Sequence, residues 1–490
     1  MSKTIPLSSI DAAWLGMEDP TNLMMVTGIL TFDRPVSFVQ FQQLLEVRWL
    51  KFDRFRMRVR ESHVPLNPPY WEEDATFDLR SHLIRTALPS PGGKVALQEL
   101  ASRLLSTPLD FSKPLWQFHF IEEYEEGSAI VVRLHHCIAD GMALMYLLLA
   151  MADFTADAPL HKGHKGNDKP VKKKRRKLLG GGINVIAQRA MKTVKATRSA
   201  AKFVKKERDA IFADRGHLLD IAITGAEGAV AVGRLLLRPP DPKTIYRGKL
   251  GVRKQGIWID PIPLADIKII KNATGTTVND VLVTALAGGL RHYMIERGES
   301  VEGVNFRAAI PVNLRKPDEM EELGNKFGLV FLSLPIGIED PLERLQEVHK
   351  RMDKLKDSPE AMASLGILAA LGLSPKDMQA GMVSMVAAKA TAVMTNVPGP
   401  PIPLYMAGGK IKSLMFWVPQ AGRVSLGLSI ISYAGEVMMG IVTDSGLITD
   451  PNKILDGFDT DYNYLFDLTR PRPENNIVSP VKPDSTDEEE

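Results

Sequence analysis

Apolar positions along this chain recur with two periods, alternate residues in some stretches and every third or fourth residue in others. The switches between them predict a succession of short strands and helices. The sharpest switch lies in Val131-Val132-Arg133-Leu134-His135-His136-Cys137-Ile138-Ala139-Asp140-Gly141, where an apolar run breaks into two histidines, a carboxylate and a glycine. Ala129 to Leu134 is β-branched enough for a strand, Gly141 permits a tight bend, and Met142 to Met151 reads as an apolar, mostly buried helix. A histidine held at such a strand end can take a proton from a hydroxyl and return it to a leaving group, because its ordinary pKa lies near neutrality. The plainer reading is a structural histidine, with Asp140 capping the next helix.

On either side the pattern continues. Leu23 to Phe32 is strand-like, Ser37 fits an N-cap for a helix carrying Phe38, Phe41, Leu44, Leu45 and Trp49, and short strands are predicted at Phe55 to Val59 and at Tyr70-Trp71. A helix over Val95 to Leu105 precedes a hairpin: Gln117 to Tyr124, a turn in Glu125-Glu126-Gly127-Ser128, then the strand that ends at His135. In the second half, strands are expected at Ile257 to Ile259, Phe306 to Val312, Phe327 to Leu334 and Ala392 to Asn396. Lys410 to Val442 is a run of β-type sequence. Helices are expected at Leu264 to Lys271, Val278 to Glu296 with Thr276-Thr277 as cap, Leu342 to Lys356, Ala361 to Leu371, Asp377 to Ala388 and Asn452 to Leu468.

A length of 490 residues implies two domains, and 44% hydrophobic with 24% charged residues is ordinary for a globular chain. The single Cys137 excludes an internal disulfide and fits a reducing compartment. Asp11 falls where an export signal would need its apolar stretch, and runs such as Met142 to Met151 and Met362 to Leu373 are shorter than the roughly 20 residues of a spanning helix. A soluble or peripheral protein is expected. The net charge of +3 conceals a segregation: Lys162, Lys165, Lys169, Lys172, Lys173, Lys174, Arg175, Arg176 and Lys177 are opposed only by Asp168, with no aromatic residue among them. Such a block cannot build a core, and without aromatics it does not read as a nucleic-acid contact. The expected organisation is a first domain over 1–160, a basic crossover over 161–245, a second domain over 246–470 and a polar, acidic tail over 471–490.

The pattern His-His-x-x-x-Asp-Gly at His135 to Gly141 resembles the signature of the acyltransferase superfamily that includes chloramphenicol acetyltransferase and peptide-synthetase condensation domains. Four further stretches narrow the likeness: Pro6-Leu7-Ser8-Ser9-Ile10-Asp11-Ala12-Ala13-Trp14, Pro114-Leu115-Trp116, Asn279-Asp280-Val281-Leu282 and Thr395-Asn396-Val397-Pro398-Gly399-Pro400. Together they resemble the bacterial wax ester synthase/diacylglycerol acyltransferase family, from about Ile5 to Phe466. That resemblance implies an α+β fold of two chloramphenicol-acetyltransferase-like domains with mixed sheets flanked by helices, and a tunnel at their interface that reaches His136 from both faces. It implies transfer of a long-chain acyl group from acyl-CoA, a substrate rather than a cofactor, to a fatty alcohol or to diacylglycerol. It also implies no metal, and a cytoplasmic protein attached peripherally to a membrane or lipid-droplet surface.

In the roles it implies, His136 is the general base, Asp140 an organiser paired with Arg315, and His135 structural. Asn279, near a helix start, is the candidate oxyanion donor, although capping alone would also explain it. Cys137 as a covalent nucleophile is the mechanistic rival, disfavoured because adjacent residues on an extended segment face opposite ways. A condensation-type or other small-acceptor acyltransferase, or an inactive lipid-binding relative, are the alternatives in function.

Overall fold

A computed structural model of the protein describes residues 4–62, 68–160, 226–316, 319, 321–356 and 358–470. The basic block between Lys162 and Lys177 and the acidic tail lie outside them. The first half runs β1 (Thr4–Pro6), α1 (Ser9–Gly16), β2 (Met25–Phe32), α2 (Phe38–Leu44), β3 (Met57–Arg60), β4 (Tyr70–Glu73), β5 (Leu83–Arg85), α3 (Gly93–Leu105), β6 (Trp116–Tyr124), β7 (Gly127–His135) and α4 (Gly141–Met151). The second runs α5 (Ala226–Leu237), β8 (Lys254–Trp258), β9 (Ile262–Pro263), α6 (Leu264–Thr274), α7 (Val278–Glu296), β10 (Phe306–Asn313), β11 (Phe327–Leu334), α8 (Pro341–Lys356), α9 (Glu360–Leu373) and α10 (Lys376–Ala387). It closes with β12 (Ala392–Pro398), β13 (Tyr405–Met406), β14 (Gly409–Trp417), β15 (Leu426–Tyr433), β16 (Glu436–Asp444) and α11 (Asn452–Thr469).

Two mixed sheets carry the fold. One has the order β13-β14-β2-β7-β6-β5, the other β11-β10-β12-β15-β16-β8 with β9 also on β16, and β1-β4-β3 form a small third sheet. Each large sheet mixes parallel and antiparallel neighbours, β5 with β6 in the first and β10-β12-β15 in the second being parallel. β2 is buried at every position, which explains why its sequence, Met25-Val-Thr-Gly-Ile-Leu-Thr-Phe32, lacks an alternating polar face. Ser37 and Thr277 cap α2 and α7 by accepting from Gln40 N–H and Asp280 N–H, and Asp280 returns the bond to Thr277 N–H to complete a capping box. The hairpin turn between β6 and β7 is tighter than expected. Tyr124 pairs with Gly127, Glu125 takes a φ of 53°, and a Cβ on Gly127 would stand 2.2 Å from the Phe32 carbonyl oxygen.

One segment does not follow the sequence order. The β-type run from Lys410 to Val442 divides between the sheets, because β14 pairs with β2 of the first sheet while β15 and β16 stay in the second. Packing decides it. Ile411, Met415 and Trp417 bury in the core around β2 and β7, whereas Leu426, Leu428 and Ile441 bury in the core around α7 and α11. Within the expected crossover, α5 packs against α9, and Lys389 Nζ donates to the Leu236 carbonyl at its end.

The apolar stretch Met362 to Leu373 is interior rather than a membrane-facing surface. Its helix, α9, lies between α1 and β11, with Ala363, Leu368 and Leu371 buried. The approach is close, since a Cβ on Gly372 would stand 1.6 Å from the Ser9 carbonyl oxygen. Gly372→Ala is therefore expected to destabilise the fold by about 1–3 kcal/mol through overpacking. Gly381→Ala in α10, where an added Cβ meets nothing within 4 Å, should be neutral or stabilising by up to about 1 kcal/mol. Thermal unfolding of both variants checks this, and equal midpoints would refute the close α1/α9 contact.

Candidate active site

The pairing that ends β7 places the two histidines. His135 lies opposite Met25 of β2. His135 N–H donates to the Leu115 carbonyl at 2.9 Å, and His136 N–H to the Met24 carbonyl at 2.7 Å. The chain then turns, with Ile138 N–H closing on the His135 carbonyl at 3.0 Å, and Asp140 begins α4 as its N-cap, its Oδ1 accepting from Ala143 N–H at 3.1 Å. Gly141 does not supply the bend. It is absent from the residues of positive φ and is the first residue of α4, where a Cβ would only touch Val397 at 3.8 Å. The turn is closed by backbone hydrogen bonds and the Asp140 cap, which need no left-handed residue.

Asp140 is buried, and every donor around it is accounted for. Besides Ala143 N–H, its carboxylate accepts from Arg315 Nη1, itself buried, and from Lys326 N–H at 2.8 Å. Asp140 N–H in turn donates to the Gly324 carbonyl at 3.1 Å, Gly324 N–H to the Ile138 carbonyl at 3.0 Å, and Arg315 Nη2 to the Gly324 carbonyl at 2.7 Å. The loop between β10 and β11 is thus clamped onto the histidine turn.

Three side chains that sequence reasoning left without a role surround His136. Trp14 of α1 stacks on its ring at 4.2 Å and 23°, Phe327 at the start of β11 stands 5.8 Å away, and Asn325 Nδ2 donates to its backbone carbonyl at 2.8 Å. The same Asn325 amide donates to Asp11 Oδ1 at 2.8 Å, and Arg54 stands 3.7 Å from the Asp11 carboxylate. Burial raises the Asp11 carboxyl above the usual carboxylate range, opposed by Arg54 and the Asn325 bonds. Burial likewise pushes the His136 imidazole from 6.5 down to about 4, against weaker opposing pulls from Asp140, the Asn325 side chain and the ring's own backbone carbonyl. At neutral pH the ring is therefore uncharged and has one nitrogen free to accept. Asp11 and Trp14 lay within a motif the sequence displayed. Asn325 belonged to none.

His135 is sealed in the fold. Its Nδ1 accepts from Cys137 N–H at 3.1 Å, so the neutral ring carries its proton on Nε2, which stands 3.5 Å from Glu18 Oε2. Cys137 lies in a turn rather than on an extended strand, so the expected argument from alternating faces does not apply. Its thiol is instead buried, and burial holds its pKa well above the ordinary thiol range, which leaves no thiolate to attack. Asn279 at the start of α7 accepts from Asn396 Nδ2 at 2.6 Å, and its own Nδ2 lies 4.0 Å from Met352 Sδ. Asn396 precedes Val397, the neighbour of Gly141, so two of the short motifs meet beside the turn that bears Asp140. Trp116 of the third is an anchor of the core, with Nε1 donating to the Phe55 carbonyl at 2.9 Å. A hollow of about 430 Å³ lined by Val36, Phe38, Arg85 and Glu122 lies at the β6–β7 turn, the far end of β7 from His136.

Because Asp140 holds a buried arginine and a helix start together, Asp140→Asn is expected to lower stability by about 3–5 kcal/mol along with activity. Paired thermal unfolding and acyl-transfer assays test this. Lost activity at unchanged stability would give the carboxylate a direct chemical role instead.

The description of the wax ester synthase/diacylglycerol acyltransferase catalytic domain matches residues 7–282, and that of the family's C-terminal domain matches residues 323–465. A putative diacylglycerol O-acyltransferase of Mycobacterium tuberculosis is 27% identical over 96% of this chain and 91% of its own length, and a second one from that organism, tgs1, is 27% identical over 92% and 94%. Among solved structures, the wax ester synthase/diacylglycerol acyltransferase from Marinobacter aquaeolei VT8 superposes with a TM-score of 0.65 at 22% identity over 95% of this chain and 99% of that one. The starter condensation domain of rhizomide synthetase shares the fold at a TM-score of 0.55 and 12% identity, over 95% of this chain and 94% of that domain. With two family domains spanning nearly the whole described chain around the His136 turn, the protein belongs to the wax ester synthase/diacylglycerol acyltransferase family and is an acyltransferase.

Proposed function

We propose that this chain transfers a long-chain fatty acyl group from coenzyme A to the hydroxyl of a fatty alcohol or of diacylglycerol, in one ternary complex, with His136 as general base. The observation that carries the mechanism is the buried, neutral imidazole at the end of β7. The hydroxyl oxygen bonds to the thioester carbonyl carbon as its proton passes to His136, and the tetrahedral intermediate then expels the coenzyme A sulfur, which recovers that proton. Asn279 is the oxyanion donor in this reading, and no cofactor or metal is invoked. The acyl and acceptor chains approach His136 between the two sheets.

His136→Ala should cut turnover by about 10² to 10⁴ with little change in folding, whereas Cys137→Ala should keep most of it. The pH dependence follows in sign. The base works when neutral, and its pKa is depressed to about 4, so the acid limb of kcat/KM should fall near that pH and not near 6.5. The depressed value also means that stability from the neutral ring is full above about 6.5 and declines as pH drops toward 4. An acid limb at 6.5, or an isolable acyl-cysteine, would refute the assignment.

We further place the reaction in the cytoplasm at a membrane or lipid-droplet surface. No helix among the described residues is long and apolar enough to cross a membrane. The nine basic residues from Lys162 to Lys177 supply the attraction instead, each worth about 1 kcal/mol close to an anionic surface. Replacing Lys172 to Lys177 with glutamine should abolish salt-sensitive cosedimentation with anionic vesicles and spare activity on detergent-dispersed alcohol. Unchanged cosedimentation would reduce the block to a linker.

A further inference from the structure

The face of β12 that packs in the core of α7 runs through Ala392 and Met394, both buried in one cluster with Leu282 and Leu286 of that helix. Strand alternation carries the same face on to Asn396, which is exposed at the end of the sheet. There it meets the first turn of α7: Asn396 Nδ2 donates to Asn279 Oδ1 at 2.6 Å. Both backbones are fixed at this point. β12 stays paired with β15 as far as Pro398, opposite Ser432, and the Asp280 carboxylate beside Asn279 accepts from Thr277 N–H at 2.9 Å and from His349 Nδ1 at 2.7 Å. Exchanging the two amides, so that Asn279 donated to Asn396, would turn the Asn279 oxygen toward Met352 Sδ, which stands 4.0 Å from the nitrogen now facing it. A thioether sulfur can only accept, so it favours the nitrogen. The Asn279 amide is therefore held by its oxygen, and its N–H groups are the part left to donate.

We propose that Asn396 is the positioning residue for Asn279, holding its amide oxygen so that its nitrogen is the atom offered to the thioester oxyanion. The inference rests on Asn279 being the oxyanion donor. A free asparagine side chain can present either end of its amide, and the wrong end would set a carbonyl oxygen against developing negative charge. A partner that donates to the oxygen removes that choice before substrate arrives. Asn396 is also tied to the turn that follows His136, because its neighbour Val397 is what a Cβ on Gly141 would touch, at 3.8 Å. Strand β12 thus carries the orientation of the Asn279 amide and the packing of the Asp140–Gly141 turn on adjacent residues.

The test is a double-mutant cycle on the full chain, read as steady-state acyl transfer from palmitoyl-CoA to hexadecanol, with thermal unfolding of each variant alongside. Asn396→Asp keeps the shape of the side chain but replaces a donor with a carboxylate that only accepts, so it should draw the Asn279 nitrogen to itself and turn the oxygen toward the substrate. Its kcat should fall by about 10- to 10²-fold, approaching the loss of about 10² to 10³ expected of Asn279→Ala, while the palmitoyl-CoA KM stays within about twofold. Asn396→Ala, which frees the amide without reversing it, should lose less than Asn396→Asp, and it completes the cycle if the aspartate variant does not fold. In the Asn279→Ala background neither change at Asn396 should alter kcat by more than about twofold. Turnover retained in Asn396→Asp overturns the proposal, since the pair would then donate the other way. Equal losses from Asn396→Asp with and without Asn279 overturn it too, by showing that the new charge acts on the reaction directly. Full turnover in Asn279→Ala would instead remove Asn279 as the oxyanion donor, and the inference with it.

Discussion

A carboxylate taken out of water must find donors, and in this fold the search by Asp140 draws the two halves of the chain together. Its partners are the first turn of α4, the Arg315 guanidinium and the backbone of Lys326, and they come from segments that share no local sequence. A buried pair of this kind need not stabilise more than an apolar contact of the same volume would. What it does impose is geometry. Its carboxylate fixes the start of α4, and the loop it holds between β10 and β11 brings Asn325 and Phe327 against His136.

The same dryness governs His136. His136 loses its charge because Trp14, Phe327 and the backbone around it exclude water, and Asp140 is too weak an influence to restore it. The polar groups beside it are each tied to a further partner: Asn325 to Asp11, and Asp11 to Arg54. Cys137 next door obeys the same rule with the opposite chemical result, since burial that keeps imidazole neutral also keeps a thiol protonated.

The strand exchange reinforces the clamp. β14 leaves the second half to pair with β2, the strand whose edge on the other side receives β7 and the histidine pair. Trp417 at its end is buried and stands 5.6 Å from Trp258 of the second sheet. The turn bearing His136 is thus bound to the second half of the chain through the loop before β11 and through the sheet itself.

What the sequence determined by itself is local. Apolar, β-rich runs marked β2, β6, β7, β10 and β11, period-3.6 runs with their Ser37 and Thr277 caps marked α2 and α7, and the break at His135 to Gly141 marked the end of a strand, because each depends on residues within a few positions of one another. The resemblance to the acyltransferase superfamily added the pairing of Asp140 with Arg315, which no periodicity contains. The division of the β-type run Lys410 to Val442 between two sheets was settled only by tertiary packing, since its strands are all apolar and β-rich and differ in which core accepts them. So was the place of Asn325: a polar residue in an irregular loop carries no pattern, and its partners lie 189 and 314 residues away. The sequence could single out His136 as a candidate base, but whether its imidazole is charged depends on water excluded by segments that meet only when the chain has folded.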